Sequence, residues 1–214
     1  MIPLLDRAVI CLDLEMGGID PERSAVLAVG VSLRSARHEM LSDSWTVSPA
    51  KGTTIVEAAT AINGWTGPGP GDVKENRVIA GLTRHVDRAI HYQMYLDEIH
   101  GIAKKRKPLL LGHGVHMDRA FVAAMARRCN LPNPFDQLGY RDLDSRQLAM
   151  MLVAYGMTSD GSLDTLCAHL GIHRGPETGA HHNPLVDARD AWDAYTTFLD
   201  GVYFPTGLLG RKAQ

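Results

Sequence analysis

Four acidic residues and one histidine stand where apolar segments of this chain begin or end. Asp13 and Glu15 flank Leu14 directly after the apolar run 8–12. Side chains alternate along a strand, so both carboxylates face one way and Leu14 the other. Carboxylates held this close repel each other, and a bound cation offsets the repulsion. Asp118 follows the apolar segment 109–111 and opens a helix; Asp187 falls in the first turn of a later helix, and His182 stands five positions before it. Oxygen donors of this kind suit hard divalent cations such as Mg²⁺ or Mn²⁺. A histidine with an ordinary pKa of about 6.5 suits a proton acceptor near neutral pH. Each residue also has a plain structural explanation: Asp-x-Glu as an exposed strand end, Asp118 as an N-cap, Asp187 as a carboxylate favoured by the helix dipole, His182 as a loop histidine. Their occurrence together, at element ends and in this order, favours a shared site.

The elements that must position them follow from patterning. Residues 8–12 read as a buried strand, 24–33 as a second and 44–48 as a third, with Trp45 and Val47 on one face. This implies an antiparallel meander at the start. Residues 49–76 read as a loop-rich insertion broken by Gly67-Pro68-Gly69-Pro70-Gly71. A long helix is expected over 77–103, a buried strand over 109–111, a helix over 118–129 with Phe121, Val122 and Met125 inward, and a short strand end within 141–144. Helices are expected over 145–155 and 162–170. The last helix starts near Pro184 with Asn183 as its N-cap, and Ala188, Trp192, Tyr195 and Leu199 form its apolar stripe. Strands first and helices later imply an α/β fold with a mixed sheet flanked by helices. One domain over 1–214 is expected, ending in a tail over about 202–214.

Three segments in order resemble the motifs of the DEDDh, or DnaQ-like, exonucleases. They are Asp13-Leu14-Glu15 after a strand, Gly112-His113-Gly114-Val115-His116-Met117-Asp118 ahead of a helix, and His182-Asn183-Pro184-Leu185-Val186-Asp187-Ala188 with its His-x4-Asp spacing. The stretch 162–172 resembles the helix that commonly precedes the third motif, so the likeness runs from about residue 8 to about residue 200. It implies a ribonuclease-H-like fold and a 3′→5′ exonuclease that releases nucleoside 5′-monophosphates from a single-stranded DNA or RNA 3′ end. It implies two divalent cations, Mg²⁺ or Mn²⁺, held by Asp13, Glu15, Asp118 and Asp187. Asp13 would bridge both ions, and Asp118 would hold one partly through water. His182 would be the general base, with the adjacent His181 as the alternative. Gly114 and Met117 stand where the family often has Asn and Phe, positions that shape the substrate cleft. The first motif is similar to that of the oligoribonucleases, whereas the third is closer to the proofreading group.

By the same resemblance, backbone at Met16 and Gly17 contacts the terminal sugar, and Ile62-Asn63-Gly64-Trp65 forms a small loop near the terminal base. Trp65 either stacks on that base or only packs its loop. The dense basic run Lys104-Lys105-Arg106-Lys107 is either a solvated helix end or a contact to upstream phosphates. His85, His91 and His100 read as surface residues. A zinc site on His113 and His116 lacks a completing Cys/His set. Competing readings are an oligoribonuclease-like RNA-trimming enzyme, a catalytically silent nucleic-acid-binding module, and a ribonuclease-H-like endonuclease. The set of four acids disfavours the silent module, and His-x4-Asp disfavours the endonuclease.

Composition sets outer bounds. Hydrophobic residues make up 45% of 214, too many for a disordered chain. With 22 Lys plus Arg against 24 Asp plus Glu, the formal charge is -2, unlike proteins that coat duplex DNA by charge; a small footprint such as a strand end fits better. Cys11, Cys129 and Cys167 are dispersed, as in a reducing compartment, and Cys11 reads as a core residue. Without a recognisable signal segment or membrane span, the expectation is a cytoplasmic protein with no membrane partner. The family resemblance also allows a homodimer.

Overall fold

The apolar run that ends at Asp13 becomes the middle strand of a sheet. The computed structural model describes residues 7–35, 38–173 and 183–203. Five strands form one sheet: β1 (Ala8–Met16), β2 (Val26–Ser35), β3 (His38–Thr46), β4 (Leu109–Gly112) and β5 (Leu143–Asp144), in the order β3-β2-β1-β4-β5. The first three are an antiparallel meander, and β4 and β5 add in parallel, as the connecting helices require.

Alternation along β1 feeds two cores. Ala8, Ile10, Leu12 and Leu14 pack with Val78, Leu82 and Val86 of α2 (Glu75–Ile99) and with Phe121, Val122 and Met125 of α3 (Val115–Arg128). Val9 and Cys11 face the other way, against Ala149 and Leu152 of α4 (Ser145–Ala154), Leu166 and Cys167 of α5 (Leu163–His169), and Ala188 and Trp192 of α6 (Pro184–Tyr203). Cys11 is fully buried, and burial pushes its thiol far above the ordinary value, so it is a core residue. The mixed α/β architecture expected from the sequence is present. Among the described residues no helix is long and apolar enough to cross a membrane.

Several expectations are corrected. The segment 49–76 is loop-rich as expected but also holds a short helix, α1 (Glu57–Asn63); none of its residues is buried, so it carries no apolar stripe to read. The third strand starts at His38, well before residue 44. Helix α3 starts at Val115, so Asp118 lies in its first turn and is not its N-cap; Gly114, at φ 82°, takes the cap position. His85 is not a surface residue. It is 1% exposed, its Nδ1 lies 3.1 Å from the carbonyl of Gly81, and its ring meets Trp45 edge-on at 6.2 Å. It sits one turn below Ala89 on the apolar face of α2, and burial lowers its pKa.

Candidate active site

β1 outruns β4. Cys11 pairs with Leu111, and β4 ends at Gly112, so the last residues of β1 lose their parallel neighbour. Asp13 and Glu15 lie on this free stretch, on the face shared with Val9 and Cys11, and both are half-buried. Leu14 points into the opposite core. Its backbone N–H donates to the carboxylate of Asp118, which reaches over from α3. Asp118 is 3% exposed. Burial above all, then the nearby charges of Asp144 and Glu15, push its pKa up to about 8.

Asp187 arrives from the other end of the chain. Asn183 caps α6: its side-chain oxygen accepts from the N–H groups of Leu185 at 3.1 Å and Val186 at 3.3 Å. The helix start lies directly on β2 at Gly30, the residue paired with Asp13. Asp187, one turn in, is thereby brought to the carboxylates of β1. Asp13, Glu15 and Asp187 each offer an oxygen, and these atoms lie within 4.8 Å of one another. Among the described residues this is the set of His, Cys, Asp or Glu side chains with metal-holding spacing. An all-oxygen set at this separation fits a hard divalent cation, and one would offset the mutual repulsion of the three carboxylates.

The three carboxylates line an open cleft of about 600 Å³. Its wall adds His113, Arg146, Asp160 and Asp164, residues the sequence reading left out of the site. One signal for Arg146 was available: a cation in the first turn of α4 runs against the helix dipole. His113 is not poised as a zinc ligand. Its Nδ1 lies 3.0 Å from the Ser145 hydroxyl and its Nε2 2.9 Å from the Gly161 carbonyl, so both ring nitrogens are occupied.

Of the expected substrate contacts, Met16, Gly17, Asn63 and Trp65 lie together at the C-terminal end of β1. Asn63 donates to the Met16 carbonyl at 3.3 Å and accepts from the Trp65 N–H at 3.1 Å, which ties the Trp65 loop to the strand. Gly17 is pinned by two backbone bonds: its N–H donates to the Ala25 carbonyl, and its carbonyl accepts from the Val56 N–H. Trp65 is half-buried. Met117 packs against the core under α3. His181 and His182 lie outside the described residues; Asn183, next in the chain, is described. The basic run 104–107 lies before β4, at the opposite end of the sheet from the carboxylates.

No protein-family model and no curated protein matches this chain. Solved structures do. E. coli exonuclease I in complex with a dT13 oligonucleotide superposes with a TM-score of 0.65 at 14% identity, over 92% of this chain and 42% of that one. Exonuclease I from Methylocaldum szegediense gives 0.66 at 15% identity, over 91% and 40%. The zinc-bound form of the E. coli exonuclease I complex with single-stranded DNA gives 0.63 at 16% identity, over 91% and 41%. The chain thus spans about two fifths of the length of these neighbours. Identity this low speaks to fold, and the fold is the one the motifs implied: a ribonuclease-H-like mixed sheet flanked by helices, shared with the exonuclease I structures.

Proposed function

We propose that this protein is a metal-dependent 3′→5′ exonuclease that removes nucleoside 5′-monophosphates from the 3′ end of single-stranded nucleic acid. The observation that carries this reading is the convergence of Asp13, Glu15 and Asp187, with ligand oxygens within 4.8 Å of one another, in an open cleft. The exonuclease I neighbours solved with single-stranded oligonucleotides support the substrate class.

Asp13, Glu15, Asp187 and Asp118 would hold two divalent cations, Mg²⁺ or Mn²⁺. Such a pair, when bound, holds the attacking and leaving oxygens of a phosphodiester in line. The remaining tasks fall to the chain's own groups. His182 takes the proton of the attacking water. Asp118, already bonded to the Leu14 N–H, is fixed in orientation by the strand it faces. The backbone at Met16 and Gly17 grips the terminal sugar, and the Asn63-anchored loop offers Trp65 to the terminal base.

The test is a digestion time course on end-labelled single-stranded DNA, single-stranded RNA and a dinucleotide, with and without Mg²⁺. Mononucleotides with a 5′-phosphate should accumulate from the first time point. A 3′-phosphate should block the reaction, and a circular single strand should resist. Rapid cutting of the circle would replace this reading with endonuclease chemistry.

A further inference from the structure

The basic run is too far from the carboxylates to serve them, yet it builds a site of its own. Arg7 immediately precedes β1, and its guanidinium donates to the carbonyl of Lys107. From Arg7 to Asp13 the extended chain runs about 20 Å, at about 3.3 Å per residue. At this far end Arg7, Arg141 and the run 104–107 line an open groove of about 450 Å³, with no acidic residue among the described residues of its wall. The chain as a whole is at -2, so this is a marked segregation of charge.

Some of these cations are answered internally. The Nε of Arg106 lies 2.6 Å from the buried Asp97 carboxylate, and Lys107 donates to the Leu138 carbonyl at 3.3 Å. Lys104 and Lys105 are exposed, and no ion pair ties them to a described residue. The groove also carries an aromatic ring in the open. Tyr140 is 85% exposed, a large apolar area to leave in water, and the Arg141 guanidinium lies 5.5 Å from its ring centroid. Cations spaced along a groove track a phosphate backbone, and an exposed ring stacks on an unpaired base.

We infer that the groove of Lys104, Lys105, Tyr140 and Arg141 is a second binding site for single-stranded nucleic acid, holding the body of a strand about 20 Å or more from the cleft. The choice of nucleic acid over another polyanion rests on the exonuclease reading, but binding in the groove is measured apart from cleavage. A dinucleotide, at an axial rise of about 3.4 Å per stacked nucleotide, cannot reach both places. A strand of twenty nucleotides can.

The experiment uses the full chain in EDTA, so that no cleavage occurs, with a labelled oligothymidylate 20-mer followed by fluorescence anisotropy against salt. Lys104→Ser with Lys105→Ser should flatten the slope of log K against log salt by about 1.4, the share of two phosphate contacts on a single strand. Tyr140→Ala should weaken binding about fivefold or more, and Tyr140→Phe, which keeps the stacking face, should restore it. With Mg²⁺ present, dinucleotide hydrolysis should be unchanged in all variants. Unaltered 20-mer binding in the lysine and Tyr140→Ala variants would overturn the proposal. So would displacement of the 20-mer by polyglutamate at equal charge, which would assign the groove to an acidic protein. Groove-dependent binding without hydrolysis of any substrate would sink the exonuclease reading and leave the groove standing.

Discussion

Gly30 and Pro184 meet with no room between them: a Cβ on Gly30 would lie 2.2 Å from the carbonyl carbon of Pro184. Gly30 is paired with Asp13 across β1 and β2, so this contact sets the height of α6 over the carboxylates. Because the clash is with backbone, Gly30→Ala must lift the helix start and move Asp187 away. We expect a loss of about 1–3 kcal/mol in stability, as for overpacking, and a larger loss of Mn²⁺ affinity and turnover. Thermal unfolding and calorimetric titration of Mn²⁺ check both. Wild-type Mn²⁺ binding and rate in this variant would show that the contact does not position Asp187.

Asp13→Ala and Asp187→Ala should each abolish hydrolysis while the fold persists. Three carboxylate oxygens within 4.8 Å repel one another when no cation is present, so removing one should not lower stability in EDTA. Circular dichroism and denaturant unfolding in EDTA, beside the digestion assay, separate the two effects. Substantial activity in both purified variants would remove the basis of the two-cation reading.

His182→Ala should slow turnover by about 10²–10⁴-fold with Mn²⁺ affinity largely kept, as expected for a general base that is not a ligand. His181→Ala should retain most activity. The reverse pattern would move the role one residue along the chain.

Glu39 on β3 anchors α6 from the side. It accepts from Nε and Nη2 of Arg189, each at 2.7 Å, and this bond, more than any other contact, holds its pKa down at about 2. A carboxylate with a depressed folded-state pKa stabilises the fold above its ordinary titration range, and that contribution fades as pH falls from there through about 2. Glu39→Gln should therefore be less stable at pH 6, with the gap to wild type closing as the pH drops towards 2. Urea unfolding across that range measures it. A constant gap would mean that the carboxylate charge is not what Arg189 holds.

Trp65→Ala should raise KM more than it lowers kcat on single strands, since stacking on a base is worth about 1–3 kcal/mol. Blunt duplexes should be degraded more slowly than single strands, because opening a pair costs about 1.4 kcal/mol per step. Equal rates on both, with an unchanged KM in the variant, would mean that Trp65 only packs its loop.

The features legible in the order of the amino acids are local. The strand period put Asp13 and Glu15 on one side of β1, and an Asn-Pro pair with short-range cap bonds marked where α6 begins. Both follow from backbone geometry within a few residues, so both were readable without the fold. The tertiary structure alone decided what meets across the chain. It joined Asp187 to β1 over Gly30, let Asp118 answer the Leu14 N–H where β4 stops short, and turned His85 into the core. It also sent the basic run to the far end of the sheet. A helix such as α1, with no buried face, left no periodic signal at all. Those outcomes depend on which surfaces pack and how closely, and packing is a property of segments distant in sequence.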